Sequence, residues 1–240
     1  MSGPAIFLQA AINGARTPDQ HAHLPVTPAQ LAAAAVESVR AGAQAVHMHP
    51  KGADGRDSLV PDTVAAAVAA VRGALPTTPL GVTTGFWALP DPQQRRDAVA
   101  AWDVLPDFVS LNWHEPGSPE LAELILSRGM GIEAGIFHAE AAASWAASDT
   151  AHKCLRVMVE LQDEGHEELA DELLEAVRAA GAPAQILLHG LDNSCWPLLQ
   201  HAGRCTVATR IGLEDTLVLP DGTAAHGNAE LVTAAVALLS

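Results

Sequence analysis

Two histidines two residues apart, His47 and His49 in the run HMHP, are the residues of this sequence best suited to hold a metal. On an extended strand, residues i and i+2 project from one face, so both imidazoles point the same way at the strand end. A carboxylate brought from another strand completes a three-ligand set with an open position, the arrangement of catalytic zinc sites. Glu214 in RIGLEDT is the carboxylate expected there. Two such histidines alone are more often core residues hydrogen-bonded to the backbone; the converging carboxylate is what favours a metal.

Positioning these groups requires a particular set of elements. Short β-rich runs at 6–13, 45–49, 79–84, 108–113, 131–136, 154–160, 185–189 and 206–213 alternate with helical patterns at 28–41, 62–74, 91–103, 118–128, 139–147, 164–180, 194–203 and 227–239. Thr27 and Pro28 read as N-cap and first helical residue, and Gly42 as a helix stop. Eight βα units in 240 residues predict a (β/α)8 TIM barrel, one catalytic domain over residues 1–240. A doubly wound sheet usually uses fewer units, and no GxGxxG follows the first strand. In a closed barrel the eighth strand neighbours the first, which puts Glu214 within reach of the second.

Strand parity sharpens the prediction. His47 and His49 share a face, as do Ser110 and Asn112, Arg156 and Glu160, and Arg210 and Glu214, while Glu133 and His189 stand alone on their strands. Their neighbours are mostly Val, Ile and Leu, so polar groups from at least six strands converge on the interior near the strands' carboxyl ends, where barrel enzymes work. Burying that many ionisable groups without a ligand is costly, which favours chemistry over a structural barrel. His21 and His23, in the loop after the first strand, read as solvated or part of a lid, and His114, Glu115 and His138 as outer or surface residues.

Composition narrows the class. Thirteen Lys and Arg against 28 Asp and Glu give a formal charge of −15 with no basic run, which argues against nucleic-acid binding. With 49% hydrophobic and 17% charged residues the chain is globular rather than disordered. No run approaches a membrane span, and no basic stretch precedes an apolar one at the N-terminus, so a cytoplasmic protein is expected. Cys154, Cys195 and Cys205 form no CxxC pair and read as reduced, buried thiols.

RIGLEDT at 210–216, INGART at 12–17, AGAQAVHMHPKGADGR at 41–56, TTG at 83–85 and SLNWHEPG at 110–117 recur in this order at five strand ends. Together they resemble the β-keto acid cleavage enzymes, the family that includes 3-keto-5-aminohexanoate cleavage enzyme. The resemblance spans nearly the whole chain. It implies a TIM barrel with zinc held by His47, His49 and Glu214. It also implies condensation of a β-keto acid with acetyl-CoA, followed by cleavage to acetoacetate and a new acyl-CoA. Asp215 would be the base, with Arg210 and Glu133 supporting it, and Thr83 and Ser110, with Asn112 on the same face, would contact substrate. A homo-oligomer is a family-level expectation.

Arg16 stands where the aminohexanoate enzyme carries the glutamate that reads an amino group, so a β-keto acid with a second carboxylate or another polar acceptor is expected. Family members usually continue beyond the last helix, whereas this sequence stops at Ser240, so the family expectations for oligomer contacts and the CoA entrance carry less weight. Lys51, Arg56, Arg95 and Arg96 are the cations nominated for the anionic CoA. Two alternatives stay open. One is a zinc-dependent aldolase or hydrolase that uses the same triad without CoA; the other is a noncatalytic barrel that binds a small acid or metal and tolerates Asp215→Asn.

Overall fold

A computed structural model describes residues 6–162, 164–182 and 185–240. Strand and helix alternate throughout: β1 (Leu8–Ala11), α1 (Pro28–Ala41), β2 (Ala45–Met48), α2 (Pro61–Ala74), β3 (Leu80–Thr83), α3 (Pro92–Ala100), β4 (Phe108–Asn112), α4 (Ser118–Ser127), β5 (Gly131–Ile136), α5 (Ala139–Ala146), β6 (Arg156–Leu161), α6 (Glu167–Ala179), β7 (Ile186–Gly190), α7 (Cys195–Cys205), β8 (Thr209–Ile211) and α8 (Asn228–Leu238). The strands are parallel and ordered β7-β6-β5-β4-β3-β2-β1-β8. A parallel bridge between Leu187 and Ala208 joins the two ends, with Leu188 N donating to Ala208 O at 2.9 Å and Ala208 N to Ile186 O at 3.0 Å. The result is a (β/α)8 barrel. Among the described residues no helix is long and apolar enough to cross a membrane.

Local chemistry sets the helix boundaries. Thr27 caps α1 in a capping box: its hydroxyl accepts from Gln30 N at 3.3 Å while Gln30 Oε1 accepts from Thr27 N at 2.9 Å. Gly42 ends the helix at φ 125°, a backbone angle that strains other residues. Helical periodicity then directs Leu31, Ala35 and Ser38 of α1, and Val64, Ala67, Val68 and Val71 of α2, onto the sheet.

Two apolar regions follow from covering both faces of the strands. The main core lies between the outer face of the barrel and the helices and includes Val46, Met48, Val82, Val109, Leu111, Ile132, Val157 and Leu188. A second, much smaller cluster of Phe7, Met158, Leu187 and Ala208 plugs the interior. The register brings Thr83, Ser110, Glu133 and Arg156 side by side across four strands and pairs Glu160 with His189, so the inward face is the polar one.

β1 and β8 are shorter than the sequence pattern predicts, covering 8–11 rather than 6–13 and 209–211 rather than 206–213. At Gly212 a Cβ would lie 1.9 Å from the carbonyl oxygen of Ala11, so the chain leaves the sheet by passing directly against β1. Asn228 secures the crossing, accepting from Leu213 N at 2.8 Å and donating to Ile12 O at 2.9 Å. At the carboxyl ends, residues 12–13 and 212–213 lead instead into the turns that carry Arg16 and Glu214 to the cavity.

Candidate active site and metal centre

The carboxyl ends of the strands open into a cavity of about 400 Å³. His49, Glu214 and Arg210 line it on one side, and Thr83, Ser110 and Asn112 on another. Glu214 Oε2 faces both imidazoles, 3.7 Å from His47 Nε2 and 3.5 Å from His49 Nε2. These gaps exceed a good hydrogen bond. They are close to the roughly 3.3 Å that separates ligand atoms around a tetrahedral ion held at about 2.0 Å. Glu214 Oε2 is buried and has no hydrogen-bond partner, although Oε1 accepts from Arg210 Nη2 at 2.8 Å. The two nitrogens and one oxygen therefore fit a zinc-like ion.

The two histidines differ in protonation. Burial pushes the His47 imidazole down to about 3, so it is neutral near pH 7. His49 behaves oppositely. Burial would lower it, but the carboxylates of Asp57 and Glu214 outweigh burial and hold it up at about 9. Burial likewise opposes ionisation of Glu214, and Arg210 with the two histidines overcomes it, keeping the carboxylate charged well below its ordinary range.

Asp57 organises the approach to His49. Its Oδ2 lies 2.8 Å from His49 Nδ1, leaving Nε2 to face Glu214, and accepts from Trp87 Nε1 at 2.7 Å. Its Oδ1 accepts from Lys51 Nζ at 2.5 Å. Trp87 stacks on the His49 ring, with centroids 6.0 Å apart and planes 22° apart. A carboxylate on the distal nitrogen is the usual way a metal-binding histidine is oriented. Neither Asp57 nor Trp87 was singled out by the sequence. The signal was the pair of aspartates in the loop KGADGRD after HMHP, but only the Lys51–Asp57 bridge that folds it back distinguishes Asp57 from Asp54.

Behind the metal donors lies a buried ionic cluster. Arg210 donates to Asp215 Oδ1 from Nε at 3.0 Å and Nη2 at 2.8 Å, and its Nε lies 3.2 Å from His189 Nδ1. Burial disfavours the Arg210 charge, yet Asp215, Glu214, Glu160 and Glu133 hold its titration above the usual arginine range. Asp215 is fully buried behind Arg210 rather than on the cavity wall, and its Oδ2 has no hydrogen-bond partner. Glu133 is not brought to the cavity either. It is fully buried in the barrel interior, where it accepts from Gln9 Nε2 at 3.1 Å and lies 3.4 Å from Arg156 Nε; burial raises its carboxyl.

The mouth carries further groups. Arg16 lines the cavity, but Nη2 is paired with Asp192 at 2.6 Å and Nε donates to Leu213 O at 2.7 Å. Two cations nominated for CoA are spent elsewhere. Lys51 is buried on Gly14 O, Arg16 O and Asp57, and Arg95 is fully buried against Glu115 and Pro116 O. Arg56 and Arg96 are exposed. Glu115 is correspondingly an outer partner, bridging Arg95 and Asn112. His138 caps α5, and His21 lies 2.9 Å from Ala225 O.

Gly14 fixes the depth at which Glu214 sits. It holds φ at 56°, and a Cβ there would lie 2.4 Å from Glu214 Cγ. Gly14→Ala is expected to displace the carboxylate and lower zinc affinity by at least tenfold, measured by chelator competition; unchanged affinity would show that Glu214 is not a ligand.

A family model for beta-keto acid cleavage enzyme matches residues 5–189 and 162–240. The chain belongs to the beta-keto acid cleavage enzyme family. The barrel is similar to ObcA in a ternary complex with C4-CoA adduct and oxalate, at TM-score 0.69 and 19% identity over 88% of this chain and 62% of that one. A binary complex of ObcA with oxaloacetate gives TM-score 0.68, again at 19% identity with the same coverage. The 3-dehydroquinate dehydratase of Enterococcus faecalis gives TM-score 0.58 at 11% identity, over 88% and 90% of the two chains. At these identities the likeness is one of fold, and the chain spans less than two thirds of the ObcA chains' length.

Proposed function

We propose that this beta-keto acid cleavage enzyme is a zinc-dependent acyltransferase that condenses a β-keto acid with acetyl-CoA and cleaves the adduct to acetoacetate and a new acyl-CoA. What carries this reading is the convergence of His47, His49 and Glu214 beside the Arg210–Asp215 pair at the cavity, in a chain of this family. ObcA bound to oxaloacetate and to a CoA adduct supports a keto acid and a thioester as the two reactants.

Held by the three donors, the ion would polarise the substrate's keto oxygen and acidify the neighbouring carbon. Arg210 fixes Glu214 through Oε1, which keeps Oε2 turned to the imidazoles. The same guanidinium occupies Asp215 Oδ1 and leaves Oδ2 to accept the proton. In the proposed reaction Arg210 shifts toward the substrate carboxylate, with which it forms a charge-assisted pair, and thereby opens Asp215 to the cavity. Thr83, Ser110 and Asn112 contact the substrate from the facing strands. Glu133 acts from beneath, through its field at Arg210.

Arg16 sets preference for the substrate's distal arm by exchanging Asp192 for an acceptor on the substrate. Arg16→Glu is expected to move the kcat/KM ratio of a dicarboxylic over a neutral β-keto acid downward by tenfold or more; an unchanged ratio removes Arg16 from recognition.

The deciding experiment incubates the zinc-loaded chain with a panel of β-keto acids, with and without acetyl-CoA. Acetoacetate formed only with acetyl-CoA supports the reading. Cleavage without acetyl-CoA makes the chain an aldolase or hydrolase, and binding without turnover makes it a noncatalytic barrel.

A further inference from the structure

A second set of metal-type donors lies on the outside of the barrel, on α6 and α7. Glu167 and Asp171 are one turn apart on α6, and His201 and Cys205 one turn apart on α7, so each pair shares a helix face. His201 sits between them with its side chain nine-tenths buried. Its Nε2 lies 2.7 Å from Asp171 Oδ1 and 3.5 Å from Cys205 Sγ. Its other nitrogen, Nδ1, lies 3.2 Å from both Glu167 Oε2 and Arg204 Nη2, and Arg204 Nη2 is itself paired with Glu167 Oε1 at 2.6 Å.

From this geometry we infer a second site for a zinc-like divalent cation, held by Asp171, His201 and Cys205 and independent of the barrel mouth. Three donor types converge, and a Glu167–Arg204 ion pair on His201 Nδ1 leaves Nε2 as the nitrogen turned to Asp171 and Cys205. The distances decide which ion fits. Around a tetrahedral ion with N at about 2.0 Å and S at about 2.3 Å, the N···S separation is about 3.5 Å, matching the 3.5 Å between His201 Nε2 and Cys205 Sγ. The N···O separation should be about 3.3 Å, so the Asp171 contact must open by about 0.6 Å. Asp171 is more than half exposed and can turn aside to admit the ion. A mixed sulfur, nitrogen and oxygen set selects zinc, cobalt or copper over magnesium and calcium, which take oxygen ligands. The open fourth position faces solvent beside Asp171. A bound ion would clamp α6 to α7, far in sequence from His47 and His49.

Cobalt(II) alone is the probe, because a cysteine thiolate ligand gives a near-ultraviolet charge-transfer band that a His–His–Glu site does not. In a His47→Ala, His49→Ala double variant, one cobalt per chain with that band is expected. Adding Cys205→Ser should abolish the band and the bound cobalt. In chains with an intact barrel mouth the same substitution should lower binding from two cobalt ions to one while acetyl-CoA-dependent turnover changes less than twofold. His201→Gln, which keeps the thiol, should weaken cobalt binding at this site at least tenfold. No band in the folded double variant, or a band that survives Cys205→Ser, overturns the assignment. Neither result depends on the reaction at the mouth.

Discussion

Asp215→Asn is expected to lower kcat for the β-keto acid by roughly 10²–10⁴-fold, the usual contribution of a positioned general base. The amide keeps an oxygen for the two bonds that Arg210 donates to Oδ1, and Arg210 also keeps its bond to Glu214. What the substitution removes is the capacity of the second position, now Oδ2 without a partner, to accept a proton. Zinc per chain should stay at the wild-type value, since Asp215 is not one of the three donors. A structural role predicts a different pattern. If Asp215 only anchored Arg210, the rate would fall together with zinc affinity and melting temperature, because the Arg210–Glu214 contact would loosen as well. Steady-state kinetics, metal analysis and a melting curve on one preparation separate the two. Turnover within tenfold of wild type would exclude Asp215 as the base.

How much of this was legible in the sequence differs between the barrel and the site. The eight helices begin and end within a few residues of their predicted positions because the signals are local: Thr27 and Pro28 at one end of α1, Gly42 at the other, and an apolar stripe between. The convergence of three candidate metal donors was legible for a related reason. A two-residue spacing on a strand fixes a shared face, and closure of the barrel fixes which strands are neighbours, so His47, His49 and Glu214 followed from parity and topology. Parity does not fix depth along the barrel axis. Glu133 and Glu160 both point inward, yet Glu160 lines the cavity while Glu133 is sealed below it among Gln9 and Arg156. Long cations were misread for a similar reason. Lys51 in a loop and Arg95 on α3 were nominated for CoA, whereas both turn inward to satisfy Asp57 and Glu115, partners set by tertiary paths that no local pattern encodes. Asp57 shows the limit most clearly, because its contact with His49 is a tertiary one made by a loop folding back.

That contact yields the second large effect, on metal affinity and its pH dependence. Without metal, His49 is held at about 9, so near pH 7 an incoming ion must displace a proton from it. Apparent zinc affinity of the wild type should therefore rise about tenfold per pH unit from pH 7 and level off above about 9. The linkage to folding has the opposite sign. A pKa raised on folding contributes stability that is complete below the unfolded value of 6.5 and lost as pH rises through about 9, so this histidine stabilises the metal-free chain less in alkali while binding metal better. Asp57→Asn removes the strongest influence that raises His49, so its pKa falls and the slope between pH 7 and 9 flattens. The variant also loses the charged partner that orients the ring, a loss that ordinarily costs 10–100-fold in affinity. At pH 9, where the proton competes only weakly, nearly the full deficit should appear. Toward pH 7 the deficit should shrink, because the wild type alone must still expel a proton. Chelator competition across that range tests both parts, with the melting temperature followed because Lys51 loses an ion-pair partner. Two curves of equal slope would mean that Asp57 does not govern the charge on His49. Equal affinities at pH 9 would mean that it does not orient the ligand either.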